Sequence, residues 1–140
     1  MRRPSFALPL GSHRFIAALI TGIALFLPAC GPAPEGGSSI TGAELVQRIR
    51  EGTAPLILDV RSAEEFQGGH VPGAVNIPHD QLSERLAELE ISDSEEIVVH
   101  CQSGRRAVFA ENLLAESGYT RVRDLDGHWK AWREAGLPTE

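Results

Sequence analysis

Short apolar runs alternate with amphipathic segments from Ile40 onward. Each apolar run has the length of a buried strand, and each amphipathic segment has helical spacing. The predicted strands are residues 55–60, 74–77, 97–100 and 122–125. The predicted helices start with a capping box at residues 41–44 and continue with 62–67, 81–89, 106–117 and 129–134. This order predicts an α/β domain whose mostly parallel central sheet is flanked by helices.

The length of 140 residues predicts a single folded domain, which we assign to residues 40–140. The first 29 residues hold three arginines and no acidic residue, so the rest of the chain has 10 basic and 19 acidic residues, a net charge of -9. Nucleic acids and anionic lipid surfaces repel such a charge. We therefore expect no nucleic-acid partner, and any bound anion must be held by a local group of donors.

The N-terminal 29 residues are predicted to be a lipoprotein signal peptide. Arginines precede an apolar run over residues 15–27, which is too short to cross a bilayer as a helix. Residues 27–30 (Leu-Pro-Ala-Cys) resemble a bacterial lipobox, which implies cleavage after Ala29 and lipidation of Cys30. The alternative is an ordinary secretory signal that leaves Cys30 as a free thiol.

Residues 30–39 are rich in Gly, Pro and Ser and are predicted to form a flexible lipidated tether. The protein is accordingly expected to be exported and held at a membrane by the lipid anchor on Cys30. Gly31 after the cysteine favours the outer membrane, facing the periplasm, in a Gram-negative host. A Gram-positive host is the alternative.

The junction between the strand at 97–100 and the helix from Arg106 carries the strongest chemical signal. In open parallel sheets, ligands bind beyond the carboxyl ends of strands, and Cys101 occupies that position. The thiolate is the reactive form of cysteine, and helix N-terminal amides together with Arg105 and Arg106 would favour it. Gly104 allows the loop to curl into an anion-binding concavity, and Ser103 can add a hydroxyl donor.

Each of the two cysteines also has a less reactive interpretation. Cys101 could be a small core residue, but a core cysteine does not require a glycine and two arginines directly after it. A disulfide with Cys30, 71 positions earlier, is the structural alternative. The histidine spacings do not match a metal site, so no metal is expected.

Four ordered motifs over about 100 residues resemble those of the rhodanese family. Residues 101–106 (Cys-Gln-Ser-Gly-Arg-Arg) are similar to its Cys-x-x-Gly-x-Arg loop, and residues 59–66 to its Asp-Val-Arg segment followed by Glu-Phe. Residues 69–74 resemble Gly-His-Ile-Pro-Gly-Ala, and residues 125–132 resemble Leu-x-Gly-Gly-Trp-x-Ala-Trp. His128 departs from the second glycine of the last motif, and it either alters the backbone near the loop or faces solvent.

The resemblance implies a three-layer rhodanese-like fold and a sulfurtransferase that works through a persulfide on Cys101. A sulfur-containing anion such as thiosulfate would be the donor, and a thiol or cyanide the acceptor, without metal or organic cofactor. The anion would be held by the loop residues Gln102, Ser103, Gly104, Arg105 and Arg106. Asp59, Arg61 and Glu65 are expected to support the loop, as a buried ion-pair network or as acid–base groups. We expect a monomer.

Two other functions fit parts of the pattern. A sulfur-carrier or sensor module of the same fold would bind sulfur with little turnover. A cysteine phosphatase of this fold has a loop one residue longer, with arginine six positions after the cysteine. That position is Ala107 here, which disfavours phosphate chemistry.

Overall fold

The computed structural model describes residues 39–140, which form four strands and five α-helices. The strands are β1 (Leu56–Asp59), β2 (Val75–Asn76), β3 (Glu96–His100) and β4 (Arg121–Asp124). The helices are α1 (Gly42–Glu51), α2 (Ala63–Gln67), α3 (Leu82–Arg85), α4 (Arg105–Glu116) and α5 (His128–Glu134). All strand pairs are parallel, in the order β2-β1-β3-β4. The predicted α/β fold with a parallel central sheet is confirmed.

The sheet is buried on both faces, which explains the continuous apolar runs of its two central strands. Alternate side chains of β1 and β3 enter two separate core clusters. One cluster includes Leu58 and Val99 and packs against α4, while the other includes Ile57 and Val98 and packs against the tryptophans of α5. The result is three layers, with helices on each side of the sheet.

Local signals position the helix starts. Thr41 caps α1 by accepting a hydrogen bond from the Glu44 amide, and Ser62 with Glu65 forms both bonds of a capping box at α2. The single helix predicted over residues 81–89 is wrong in one respect: α3 passes into a 3-10 helix at Leu86–Leu89. The tighter turn ends at Glu90 in a left-handed conformation, with φ at 48°.

The predicted signal peptide at residues 1–29, the lipidation site Cys30 and all of the tether except Ser39 lie outside the described residues. Within residues 39–140, no helix is both long and apolar enough to cross a bilayer.

Candidate active site

The loop that follows β3 places Cys101 at the carboxyl edge of the sheet, between β3 and the first turn of α4. The side chain is 1% exposed, and the Gly104 amide donates a hydrogen bond to its Sγ at 3.1 Å. The amide of Trp129 donates to the carbonyl of Cys101, and that of Lys130 to the carbonyl of Gln102. Helix α5 therefore holds the loop from behind while the amide of Gly104 faces the sulfur.

Gly104 adopts a conformation that other residues avoid, with φ at 106°. A Cβ at this position would lie 2.8 Å from Nε2 of His128, closer than atoms pack. Only glycine satisfies both constraints, and it therefore allows the backbone amide at this position to reach Cys101. Gly104 is thus required twice, for backbone conformation and for space.

We expect Gly104→Ala to lower kcat/KM of the sulfur transfer that the family resemblance implies by about 10²- to 10³-fold, the usual effect of losing one donor to a developing anion. The loop must shift to accommodate the methyl group, and the amide then leaves the sulfur. Steady-state sulfurtransferase kinetics measure the loss.

Gly118→Ala is the matched control, because Gly118 also has a positive φ, at 98°, but follows α4 at its far end. It should lower the melting temperature and leave kcat/KM unchanged. Equal losses of kcat/KM in the two variants would show that Gly104→Ala acts by destabilising the fold and not by moving the amide away from Cys101.

The two arginines of the loop have different environments. Arg106 forms a bidentate ion pair with Glu65, with N–O distances of 2.6 and 2.8 Å. The guanidinium of Arg106 lowers the pKa of Glu65 to about 2, and Glu65 in turn raises the pKa of Arg106. Arg105 is exposed and has no ion-pair partner among residues 39–140. Arg105 therefore offers the less compensated positive charge at the site.

Asp59 and Arg61 form a second pair, which is buried: the two residues are 0% and 1% exposed. The Arg61 guanidinium contacts both carboxylate oxygens of Asp59, donates to the carbonyl of Gly69 and lies 4.4 Å from the ring of Trp129. The backbone amide of Trp129 in turn donates a hydrogen bond to the carbonyl of Cys101. The supporting residues thus belong to two separate ion pairs, one in the core and one at the loop.

His128 does not face solvent, so the expectation that it does is wrong. It is 9% exposed, has φ at 54°, and packs against Gly104. The second glycine of the Gly-Gly motif thus corresponds to a left-handed backbone position. The Nδ1 atom of His128 lies 3.4 Å from Asp124, which also neighbours Glu111. Burial, and then the charge of Asp124, raise the pKa of Glu111 to about 7.

A cavity of about 520 Å³ opens over the sulfur. It is lined by loop and helix residues that the sequence singled out, Cys101, Gln102, Ser103, Arg105 and Arg106, and by two that it did not, His79 and Phe109. The spacing of Arg105 and Phe109, four residues apart on α4, is a signal that could have placed Phe109 on the same helix face. His79 had no such signal, since it comes from a distant turn.

The sequence model of the family described as the rhodanese-like domain matches residues 41–135 of this chain. The chain belongs to the rhodanese family. Its sequence is 34% identical over 111 residues to the human thiosulfate:glutathione sulfurtransferase, covering 71% of this chain and 96% of that protein. It is 40% identical over 93 residues to thiosulfate sulfurtransferase 16 of Arabidopsis thaliana, covering 59% and 78%.

Other rhodanese relatives extend the comparison. An HTH-type transcriptional regulator of Mycobacterium tuberculosis is 42% identical over 104 residues. The match covers 73% of this chain but 44% of the regulator, so the chain spans less than half of that protein. The crystal structure of the Alr3790 protein from Anabaena superposes with a TM-score of 0.66 at 33% identity, covering 72% of this chain and 81% of that one.

His100, next to Cys101, is 0% exposed and lies 3.7 Å from Asp59. Burial lowers the pKa of its imidazole to about 4. An unfolded histidine takes up a proton near pH 6.5, so stability falls as the pH drops from 6.5 toward 4. Glu111 has the opposite effect, because its raised pKa lets the folded state bind a proton first.

Comparing the wild type with His100→Gln separates the pH dependence of stability that comes from His100 from the one that comes from Glu111. The free energy of unfolding of the wild type should fall relative to the variant by about 2 kcal/mol between about pH 7.5 and about pH 5. Urea denaturation at the two pH values measures the difference. A difference that does not change with pH would show that His100 takes up its proton equally well in both states.

Proposed function

We propose that this rhodanese domain is a sulfurtransferase that moves a sulfane sulfur from thiosulfate or a related anion to a thiol or cyanide, through a persulfide on Cys101. The observation that carries the proposal is the Gly104 amide 3.1 Å from Sγ at the base of a cavity with two arginines in its lining. This arrangement joins a nucleophile, a donor to its charge, and cations for an anionic substrate.

In the first half-reaction, the Cys101 thiolate attacks the outer sulfur of thiosulfate. A new S–S bond forms to Sγ, the S–S bond of thiosulfate breaks, and sulfite leaves with the bonding electrons. The negative charge stays on the outer sulfur of the persulfide. Amides of the loop, above all that of Gly104, stabilise this anion, and Arg105 and Arg106 hold the donor and the departing sulfite.

In the second half-reaction, an acceptor thiolate or cyanide attacks the outer sulfur of the persulfide. The bond between that sulfur and Sγ breaks, and Cys101 leaves as the thiolate that began the cycle. No external oxidant or reductant is consumed. The names of the human and Arabidopsis relatives support thiosulfate as donor, and the human one supports a thiol as acceptor.

Intact-mass spectrometry after treatment with thiosulfate tests the proposal. We expect the protein to gain roughly 32 Da, one sulfur atom, on the peptide that contains Cys101, and cyanide to remove it with formation of thiocyanate. A protein that gains no mass with thiosulfate would contradict the proposed function. A second arm with a phosphomonoester tests the phosphatase alternative. That alternative is disfavoured because the position that carries arginine in such phosphatases is here Ala107, which is fully buried.

The same measurement separates an enzyme from a sulfur carrier. A carrier would keep its persulfide in the presence of cyanide and of small thiols. Rapid loss of the added mass supports turnover. Persistence of the mass would favour the carrier function that is suggested by the name of one relative, the putative sulfur carrier protein YrkF of Bacillus subtilis.

Export and lipid anchoring at Cys30 form a separate proposal, supported by the lipobox-like residues 27–30 and the preceding apolar run. We propose that the domain acts at a membrane outside the cytoplasm. Labelling with radioactive palmitate in a bacterial host should mark the wild type and not Cys30→Ser. Equal labelling of the two would contradict the proposal.

A further inference from the structure

An aromatic wall lines the cavity above Cys101 together with the loop. It consists of Phe109 on α4 and His79, whose ring meets that of Phe109 edge to face with a centroid distance of 6.2 Å. Phe109 is 53% exposed, among the largest exposed apolar side chains of residues 39–140. Nothing in the transfer of sulfur from thiosulfate requires an aromatic surface.

The cavity is also larger than the donor needs. Its volume of about 520 Å³ lies within the range of sites that hold whole organic molecules. Thiosulfate, sulfite and cyanide are small, strongly hydrated anions that gain nothing from contact with a phenyl ring. The size of the cavity and the aromatic wall therefore point to the other substrate, the acceptor.

The charge at the cavity adds a second requirement. Arg105 precedes Phe109 by one helical turn, which puts the two residues on the same face of α4 with their Cβ atoms about 6 Å apart. Arg105 has no ion-pair partner within the described part of the chain, whereas Arg106 is paired with Glu65. An acceptor that touches both residues needs a negative group close to an apolar body.

We propose that the acceptor is a small organic thiol with an apolar, preferably aromatic, body and a carboxylate, and that Phe109 determines this specificity. The proposal rests on the persulfide function given above. Phe109 and His79 contact the body of the acceptor, and Arg105 binds the carboxylate. The acceptor thiolate attacks the outer sulfur of the persulfide anion, the bond between that sulfur and Sγ breaks, RS⁻ becomes RSS⁻, and Cys101 leaves as a thiolate, so atoms and charge balance.

The experiment compares two acceptors that differ by a phenyl ring, 2-mercapto-3-phenylpropionate and 2-mercaptopropionate, with cyanide as a third. Persulfide formation from thiosulfate is measured first, by mass. We expect the phenyl acceptor to have the lower KM with the wild type. Phe109→Ala should raise that KM roughly tenfold, with little effect on the methyl analogue, on cyanide or on persulfide formation.

Val108→Ala is the matched control. Val108 is as exposed as Phe109, at 56%, and adjoins it on α4, but it does not line the cavity. Its substitution should leave all three acceptors within about twofold of the wild type. In Arg105→Gln, we expect the phenyl acceptor to lose its advantage over 2-phenylethanethiol, which lacks the carboxylate.

The possible results test the acceptor class separately from the proposed sulfurtransferase function. A wild type that forms no persulfide overturns both. A wild type that forms the persulfide but uses the phenyl and methyl acceptors equally well overturns the acceptor class alone. A Phe109→Ala variant that loses cyanide activity as strongly as phenyl-thiol activity overturns the assignment of Phe109, because the residue would then support the loop and not the acceptor.

Discussion

A chain carrying Cys101→Ser is expected to lose thiosulfate:cyanide sulfurtransferase activity by at least about 10⁴-fold. A serine hydroxyl stays protonated where a thiol ionises, and it cannot form a persulfide. The fold should survive, because the Gly104 amide that donates to Sγ at 3.1 Å can also donate to a hydroxyl oxygen. Thiocyanate formation measures the rate, and the melting temperature checks the fold.

The chain contains one other cysteine, which serves as the matched control. Cys30→Ser should retain the wild-type rate in detergent solution, because Cys30 belongs to the predicted anchor and not to the loop. Loss of activity in Cys30→Ser, or measurable turnover in Cys101→Ser, would show that Cys101 is not the sulfur carrier of the reaction.

Local sequence was sufficient to predict the elements around Cys101. The strand β3, the loop and α4 are contiguous in the chain, so apolar length, a glycine and helical periodicity place Cys101 at the start of a helix without long-range information. The capping box of Ser62 and Glu65 was equally predictable, because it depends on residues three positions apart.

Contacts between distant segments were not predictable in the same way. Glu65 completes a capping box and also binds Arg106, which is 41 residues later in the chain. The burial of His128 against Gly104 depends on how α5 packs behind the loop. The strand order β2-β1-β3-β4 determines which of these distant segments lie next to each other. Alternating apolar runs are compatible with several strand orders.

The aromatic wall shows the same limitation at the site itself. Phe109 lies on the helix that the sequence predicted, but a phenylalanine in an amphipathic helix is ordinarily assigned to the core. The core positions of α4 are instead Ala107, Ala110 and Leu114, which leaves Phe109 at the cavity with 53% of its surface exposed. Which side of a helix meets the sheet is set by packing, and that packing directs Phe109 toward the cavity.

Removing the charge of Arg61 is expected to have the largest effect on stability. Arg61→Met should lower the free energy of unfolding by about 3–5 kcal/mol, because it leaves Asp59 charged and buried without its partner. Asp59 is 0% exposed and Arg61 contacts both of its carboxylate oxygens. The bond from Arg61 to the carbonyl of Gly69 and the stacking on Trp129 are lost at the same time. Urea denaturation at neutral pH measures the change.

Two further variants separate the unpaired charge from the lost packing. Asp59→Asn combined with Arg61→Met removes both charges and should be more stable than Arg61→Met alone, since a neutral amide is less costly to bury than an unpaired carboxylate. Arg85→Met is the surface control: Arg85 pairs with Glu88 where both side chains are exposed, so its loss should leave the free energy of unfolding nearly unchanged. If the single and double variants at Asp59 and Arg61 were equally unstable, the contacts of Arg61 with Gly69 and Trp129, and not its neutralisation of Asp59, would hold this end of the sheet together.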